Sequence, residues 1–101
     1  MHLVQILLPL FDNEGNAFAA ERYRAVTRAL TERFGGVTAY TRAPAEGRWQ
    51  DDQGVRHDEI VILETMVESL DGSWWDNYRR QLERDFKQDE IVVRAIPIER
   101  L

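Results

Sequence analysis

The sequence contains no cysteine, and this absence excludes several kinds of chemistry. Without a thiol, the chain forms no disulfide, offers no thiolate to a metal and has no cysteine nucleophile. Histidine is nearly as scarce, because only His2 and His57 occur and they lie far apart. The only serines, Ser69 and Ser73, lie near a predicted helix start, where capping explains them. We therefore expect no metal and no cofactor, and the lack of thiols fits a cytoplasmic protein.

Positive charge is the second shortage. The chain has 13 lysines and arginines against 18 acidic residues, which gives a formal net charge of −5. Phosphate backbones and anionic membranes bind clustered positive charge, so we expect neither nucleic acid nor a membrane as a partner. The apolar stretch at residues 3–11 is too short to span a bilayer and lacks the flanks of a signal peptide, so it predicts a buried strand. No glycine-rich phosphate-binding motif occurs.

What the sequence does contain is an alternation of strand and helix patterns. Short apolar runs predict strands at residues 2–8, 37–42, 58–67 and 90–98. Apolar residues at three- and four-residue steps predict a helix over residues 17–34, and a second helix that opens at residues 70–73 and buries Phe86. This order predicts a single α+β domain over residues 1–101, a ferredoxin-like βαββαβ fold. Its four-stranded antiparallel sheet would have the order 4-1-3-2, with two helices on one face.

Cap and stop residues set the expected helix ends. Asn16 is the predicted N-cap of the first helix, and Gly35 and Gly36 are expected to stop it because glycine adopts the left-handed conformation at little cost. Asp71 or Ser73 is expected to cap the second helix.

The segment between the second and third predicted strands contains its own hairpin signal. Pro44 cannot donate to a sheet, so we expect a bulge or a sheet edge there. Residues 48–50 then resume pairing, and the polar residues at 51–54 form a turn.

Because both helices lie on one side of such a sheet, alternation assigns each strand residue to a helix-covered face or to an open face. The helix-covered face receives Val4, Ile6, Leu8, Val37, Ala39, Val61, Leu63, Ile91, Val93 and Ala95. The open face receives Leu3, Gln5, Leu7, Tyr40, Arg42, Ile60, Ile62, Glu64, Met66, Val92, Arg94 and Ile96. The open face is too apolar to be left in water, so we expect a second copy of the chain to cover it in a homodimer or higher oligomer. The alternative is a monomer in which residues 43–57 fold over this face.

Four polar residues interrupt the open face: Gln5, Tyr40, Glu64 and Arg94. Hairpin counting from a turn centred on Asp52 places Tyr40 opposite Glu64, so that all four would form one row across the sheet, although a bulge at Pro44 would shift this register. A structural interpretation is a satisfied buried network in which Glu64 pairs with Arg94. A functional interpretation makes Glu64 a general acid or base, Tyr40 a hydrogen-bond donor and Arg94 the group that holds an anionic oxygen.

Further candidate ligand-binding residues lie around this row. Arg42 continues the open face beyond Tyr40, and Trp49 stands in the hairpin among polar neighbours that do not require an indole. His57 precedes two acidic residues, but neighbours on a strand point to opposite faces, which makes a metal site there a poor prediction. Trp74 lies off the main stripe of the second helix, where it either packs in the core or meets a partner chain.

Two segments of the chain carry a resemblance to known proteins. Residues 34–40, FGGVTAY, followed by residues 47–54, GRWQDDQG, and then a long apolar strand, resemble small uncharacterised bacterial proteins with a ferredoxin-like fold. At the level of the fold, the chain is also similar to the dimeric α+β barrel superfamily. That superfamily includes cofactor-free monooxygenases, isomerases and haem-binding members, and the resemblance carries no catalytic motif to a numbered residue here.

Two functions therefore remain open from the sequence. The first is a cytoplasmic homodimer that binds a small organic ligand between its sheet and its partner; one form of this hypothesis is a cofactor-free monooxygenase- or isomerase-like enzyme. The second is a non-catalytic binding or structural dimer, in which the polar residues only fix the packing of the two copies.

Overall fold

A computed structural model describes the backbone of residues 1–40, 46–51 and 54–101, and the side chains of residues 1–39 and 60–101. The elements follow one another along the chain as β1 (His2–Pro9), α1 (Ala20–Phe34), β2 (Thr38–Tyr40), β3 (Glu46–Asp51), β4 (Gly54–Val67), α2 (Gly72–Asp85) and β5 (Val93–Pro97).

The sheet is antiparallel throughout, with the strand order β2-β4-β1-β5. This is the predicted order 4-1-3-2 read from the other edge, so the ferredoxin-like α+β fold is confirmed. The first half of β4 pairs with β3 instead of β2, from Gly54 opposite Asp51 to Glu59 opposite Glu46. The predicted resumption of pairing at residues 48–50 is therefore confirmed, while part of the predicted turn at 51–54 lies outside the described residues.

The core lies between the sheet and the two helices. Alternate residues of β1 are fully buried, as the strand pattern predicted for Val4, Ile6 and Leu8. They pack with Val61 and Leu63 of β4 and with the apolar stripes of both helices. These stripes supply Val26, Leu30, Trp75, Tyr78, Leu82 and Phe86, all of them buried. Both helices therefore pack on the face of the sheet that the strand pattern predicted.

The helix ends match the predictions except at one position. Gly35 has a φ of 86°, and its N–H donates to the carbonyl of Thr31, so it ends α1 as expected. Asp71 caps α2 by accepting a hydrogen bond from the N–H of Trp74.

Asn16 was wrong as the N-cap of α1, because the helix starts at Ala20 and its N-cap is Ala19, which makes no side-chain capping bond. The N–H and C=O groups of Asn16 instead close a turn on Asp12. The carboxylate of Asp12 accepts from the N–H groups of Glu14 and Asn16 and so favours a local turn over a helix start, which explains the three-residue error in the predicted start.

The edge strand β5 is shorter than the sequence indicated, because it covers residues 93–97 instead of 90–98. β2 begins at Thr38 instead of residue 37, and the predicted strand residues 41–42 lie outside the described ones. Ala39 and Ala95, assigned to the helix-covered face, are exposed, and both lie on strands at the edges of the β2-β4-β1-β5 sheet.

Candidate functional site

The polar interruption of the open face is a hydrogen-bonded row across three strands. Gln5 on β1 is opposite Glu64 on β4 and opposite Arg94 on β5. Nε of Arg94 donates to Oε1 of Gln5 over 2.7 Å, and Nε2 of Gln5 donates to Oε1 of Glu64 over 2.6 Å. The structure therefore brings three of the four predicted row residues together, and we call Arg94, Gln5 and Glu64 the polar row.

Tyr40 is not opposite Glu64, and that part of the prediction was wrong. Tyr40 is paired with Ile62, and Thr38 occupies the position opposite Glu64. Five residues separate Tyr40 from Glu46, whereas two separate their partners Ile62 and Glu59, so the register shifts by three residues between the two pairings. Hairpin counting assumed at most a one-residue bulge at Pro44, and this longer offset moves Tyr40 one row away from Glu64. The side chain of Tyr40 lies outside the described ones.

Apolar residues flank the polar row along the strands. On one side Leu3 is opposite both Ile96 and Met66. On the other side Leu7 is opposite Ile62, and its N–H donates to the carbonyl of Val92. Met66, Val92 and Ile96 remain 44–47% exposed although they are large and apolar. The open face therefore has three successive rows of side chains, apolar, polar and apolar, and no helix covers them in the described part of the chain.

A groove of about 1030 Å³ begins where the polar row reaches β4. Glu64, Thr38, Leu3 and Met66 form its part on the open face, and it continues past the end of α1 to Arg33. Arg33 lies at this end of the groove, with its guanidinium 4.5 Å from the ring centre of Trp74 and 3.8 Å from a carboxylate oxygen of Asp71.

The groove walls carry both signs of charge. Glu64, Glu68 and Asp71 supply carboxylates, and Arg33 and Arg100 supply guanidinium groups. Such a surface offers charged hydrogen-bond donors and acceptors within one concave space, which suits a small molecule that itself carries charged or polar groups.

Several residues of this groove escaped the sequence analysis. Thr38 has the same strand parity as Tyr40, so a correct register would have identified it. Arg33 and Arg100 gave no signal, because their position depends on where the end of α1 and the C-terminal segment meet the end of β4.

The remaining candidate residues have mixed outcomes. Trp74 packs against Phe34, Trp75 and Tyr78, which is the core interpretation of this residue. Trp49 pairs with Arg56, and His57 with Arg48, in the β3–β4 hairpin, but the side chains of this hairpin lie outside the described ones. Arg42 lies outside the described residues altogether. Their roles in ligand binding stay predictions.

In the described parts of the chain, no three histidine, aspartate or glutamate side chains cluster as metal ligands would. None of the helices described is long and apolar enough to cross a membrane.

Comparison with known proteins identifies relatives of the fold only. No protein-family model matches the sequence, and no curated protein matches it either. Among solved structures, the chain is similar to a phage SAM lyase in complex with S-methyl-5′-thioadenosine, with a TM-score of 0.60 and 17% sequence identity over 94% of this chain and 79% of that chain. The apo state of a phage SAM lyase matches with a TM-score of 0.58 and 19% identity over 94% of this chain and 78% of that chain. These proteins share the α+β ferredoxin-like fold of this chain.

Proposed function

We propose that the protein is a cytoplasmic homodimer that associates through the open face and binds a small organic ligand in the groove beside the polar row. One observation carries this proposal: a hydrogen-bonded polar row, set between two apolar rows, ends at a groove that Glu64 helps to line. The exposed apolar rows favour association with a partner. The polar row supplies hydrogen-bonding groups beside the groove that can recognise a ligand.

The argument for self-association rests on exposed apolar area. Burying a large aliphatic side chain fully is worth about 1.5–3 kcal/mol, and the open face leaves Met66, Val92 and Ile96 nearly half exposed. Exposed apolar rows of this kind on one face are typical of an interface. A symmetric dimer presents the same face twice, so one patch covers the other and no further partner is needed.

The argument for a ligand rests on the groove. Its volume of about 1030 Å³ is at the upper end of the range for small-molecule sites. A ligand with both a cationic and an anionic or hydrogen-bonding part would find carboxylates and guanidinium groups in it. Because a structural neighbour holds S-methyl-5′-thioadenosine, this compound and S-adenosylmethionine are the first probes to use.

If the protein is an enzyme, the polar row supplies its acid–base chemistry. In that proposal Glu64 is the general acid or base, Tyr40 donates a hydrogen bond from the neighbouring row, and Arg94 holds an anionic oxygen. Gln5, Arg42, Trp49 and His57 are proposed to bind the ligand. Gln5 also positions Glu64 through its 2.6 Å hydrogen bond.

The test combines sedimentation and calorimetry on the whole chain. We expect sedimentation velocity to show a dimer, and isothermal titration with S-methyl-5′-thioadenosine or S-adenosylmethionine to show saturable binding that Glu64→Gln weakens at least ten-fold. The matched control is Glu32→Gln on the exposed side of α1, which should change neither result. A wild-type chain that stays monomeric, or a Glu64→Gln variant that binds as tightly as wild type, contradicts the proposal.

A specific observation favours the non-catalytic alternative. Within the polar row, the oxygen and the nitrogen of the Gln5 amide both bind neighbours, as a network that only fixes packing would require. In that case Glu64→Gln would weaken the dimer or the fold but leave ligand binding absent in wild type and variant alike. The other alternative, a monomer covered by residues 43–57, concerns side chains outside the described ones.

A further inference from the structure

The polar row is asymmetric in charge across the sheet. Arg94 lies on β5, the neutral Gln5 lies on β1, and Glu64 lies on β4. Neighbouring strands are about 4.8 Å apart, so the positive and negative ends of the row are separated by about 10 Å. A surface that approaches this row face to face meets a cation at one end and an anion at the other.

Two sheets that pack face to face have their strands either roughly aligned or roughly at right angles, and only the aligned arrangement lays one polar row along the other. A two-fold axis through Gln5 in the plane of the interface can then run along the strands or along the polar row. An axis along the row places Arg94 over the partner's Arg94 and Glu64 over the partner's Glu64. An axis along the strands reverses the row, so that Arg94 lies over the partner's Glu64 and Glu64 over the partner's Arg94.

We infer that the second copy packs on the open face about an axis parallel to β1, so that two Arg94–Glu64 ion pairs form between the protomers. This inference rests on the proposed self-association and specifies its geometry. Like charges opposed in a closing interface are strongly unfavourable, whereas opposite charges fix the register of the two faces. The same axis lays each apolar row over its own copy, so both apolar rows are covered at once.

The described contacts leave the polar row able to form these pairs. Arg94 is exposed, and its hydrogen bond to Gln5 uses Nε, so the two terminal nitrogens of the guanidinium make no hydrogen bond to a described residue. Glu64 is half buried, and a carboxylate accepts several hydrogen bonds at once. Packed sheets are about 10 Å apart, a gap that an arginine and a glutamate reaching from opposite sides can bridge.

The experiment exchanges the charges one chain at a time. We expect Arg94→Glu alone and Glu64→Arg alone each to raise the dimer dissociation constant at least ten-fold, because each variant opposes like charges twice. An equimolar mixture of the two variants should recover a heterodimer, since one chain then carries two acids and the other two bases. The double variant Arg94→Glu/Glu64→Arg should recover a homodimer. Sedimentation equilibrium measures all four samples.

The mixture separates contacts between chains from contacts within one chain, because mixing cannot repair a row inside a single protomer. If the mixture dissociates as readily as the two variants alone, or if the single variants dimerise like wild type, the inferred geometry is wrong while the proposed function stands. A monomeric wild type overturns both.

Two further sets of variants serve as controls. Arg84→Glu and Glu32→Arg make the same charge changes at exposed helix positions and should leave the dissociation constant unchanged. Arg94→Gln and Glu64→Gln remove the charge but leave a polar side chain, and they guard against misfolding. Each should weaken the dimer less than the charge reversals do. Their mixture should recover in part, because the heterodimer keeps one of the two ion pairs; a mixture that is no tighter than the single variants would contradict the ion pairs.

Discussion

The two faces of one sheet have opposite relations to the rest of the molecule. On the helix-covered face, side chains such as Ile6 and Leu8 are completely buried among residues of both helices. On the open face, the residues between them, such as Leu7, remain half buried although they are equally apolar. Burial of the helix-covered face stabilises the fold. The open face stays partly exposed after folding, so we expect association and ligand binding there.

The largest expected effect separates neighbouring residues of β1. Ile6→Ala should lower the free energy of unfolding by about 2–5 kcal/mol, because it removes a fully buried side chain and leaves a cavity. Leu7→Ala should cost clearly less at concentrations where the chain is monomeric, because Leu7 is only half buried there. Urea unfolding of both variants measures the difference. Equal losses would mean that the open face is already covered within one chain.

A charge placed on the open face should act on association before it acts on folding. Ile62→Lys puts a cation on an apolar row next to Leu7, and we expect at least a ten-fold weaker dimer with a small change in unfolding. The matched control is Gln81→Lys on the exposed side of α2, which adds the same charge. Analytical ultracentrifugation measures both variants. A dimer that withstands Ile62→Lys does not use this face.

One polar group on the covered face offers a smaller test. Thr65 is buried, and its hydroxyl donates to the carbonyl of Gly36 over 2.6 Å, which ties the segment after α1 to β4. Thr65→Val keeps the shape of the side chain but removes this bond, so we expect a loss of about 1 kcal/mol. Thr38→Val, at an exposed position of the neighbouring strand, is the control and should change stability little. Equal effects would show that the bond contributes nothing.

Much of the difference between the two faces could be predicted from the sequence, because alternation along β1 and β4 depends only on the two-residue period of a strand. That period assigned Val4, Ile6 and Leu8 to the core and placed Gln5 and Glu64 on the same face. The strand order followed from the order of the elements.

The exact neighbours of the candidate site could not be predicted as well. Tyr40 was placed opposite Glu64 by counting back from a turn, and counting fails when the connection contains extra residues. The groove contributions of Arg33 and Arg100 depend on tertiary packing at the end of the sheet, for which the sequence carries no periodic signal. The neighbours within the polar row were therefore predictable along continuous strands. The neighbour of Tyr40 was not, because extra residues interrupt the chain between β2 and β3.

The smallest effect at neutral pH concerns ionisation on the covered side. Burial among the helices, with a further contribution from the charge of Asp85, raises the pKa of Tyr78 to about 12. Since this pKa is raised above the ordinary value of 10.0, its contribution to stability is fully present below pH 10 and is lost as the pH rises towards 12. Unfolding of wild type should therefore become easier over this range, whereas Tyr78→Phe should show a flatter profile because it has no proton to lose. Chemical denaturation of both chains between pH 8 and about 12 tests this, with other alkaline titrations cancelling in the difference. Identical profiles would mean that Tyr78 ionises as freely as a tyrosine in water, and that the helix-covered side excludes water less completely than its packing indicates.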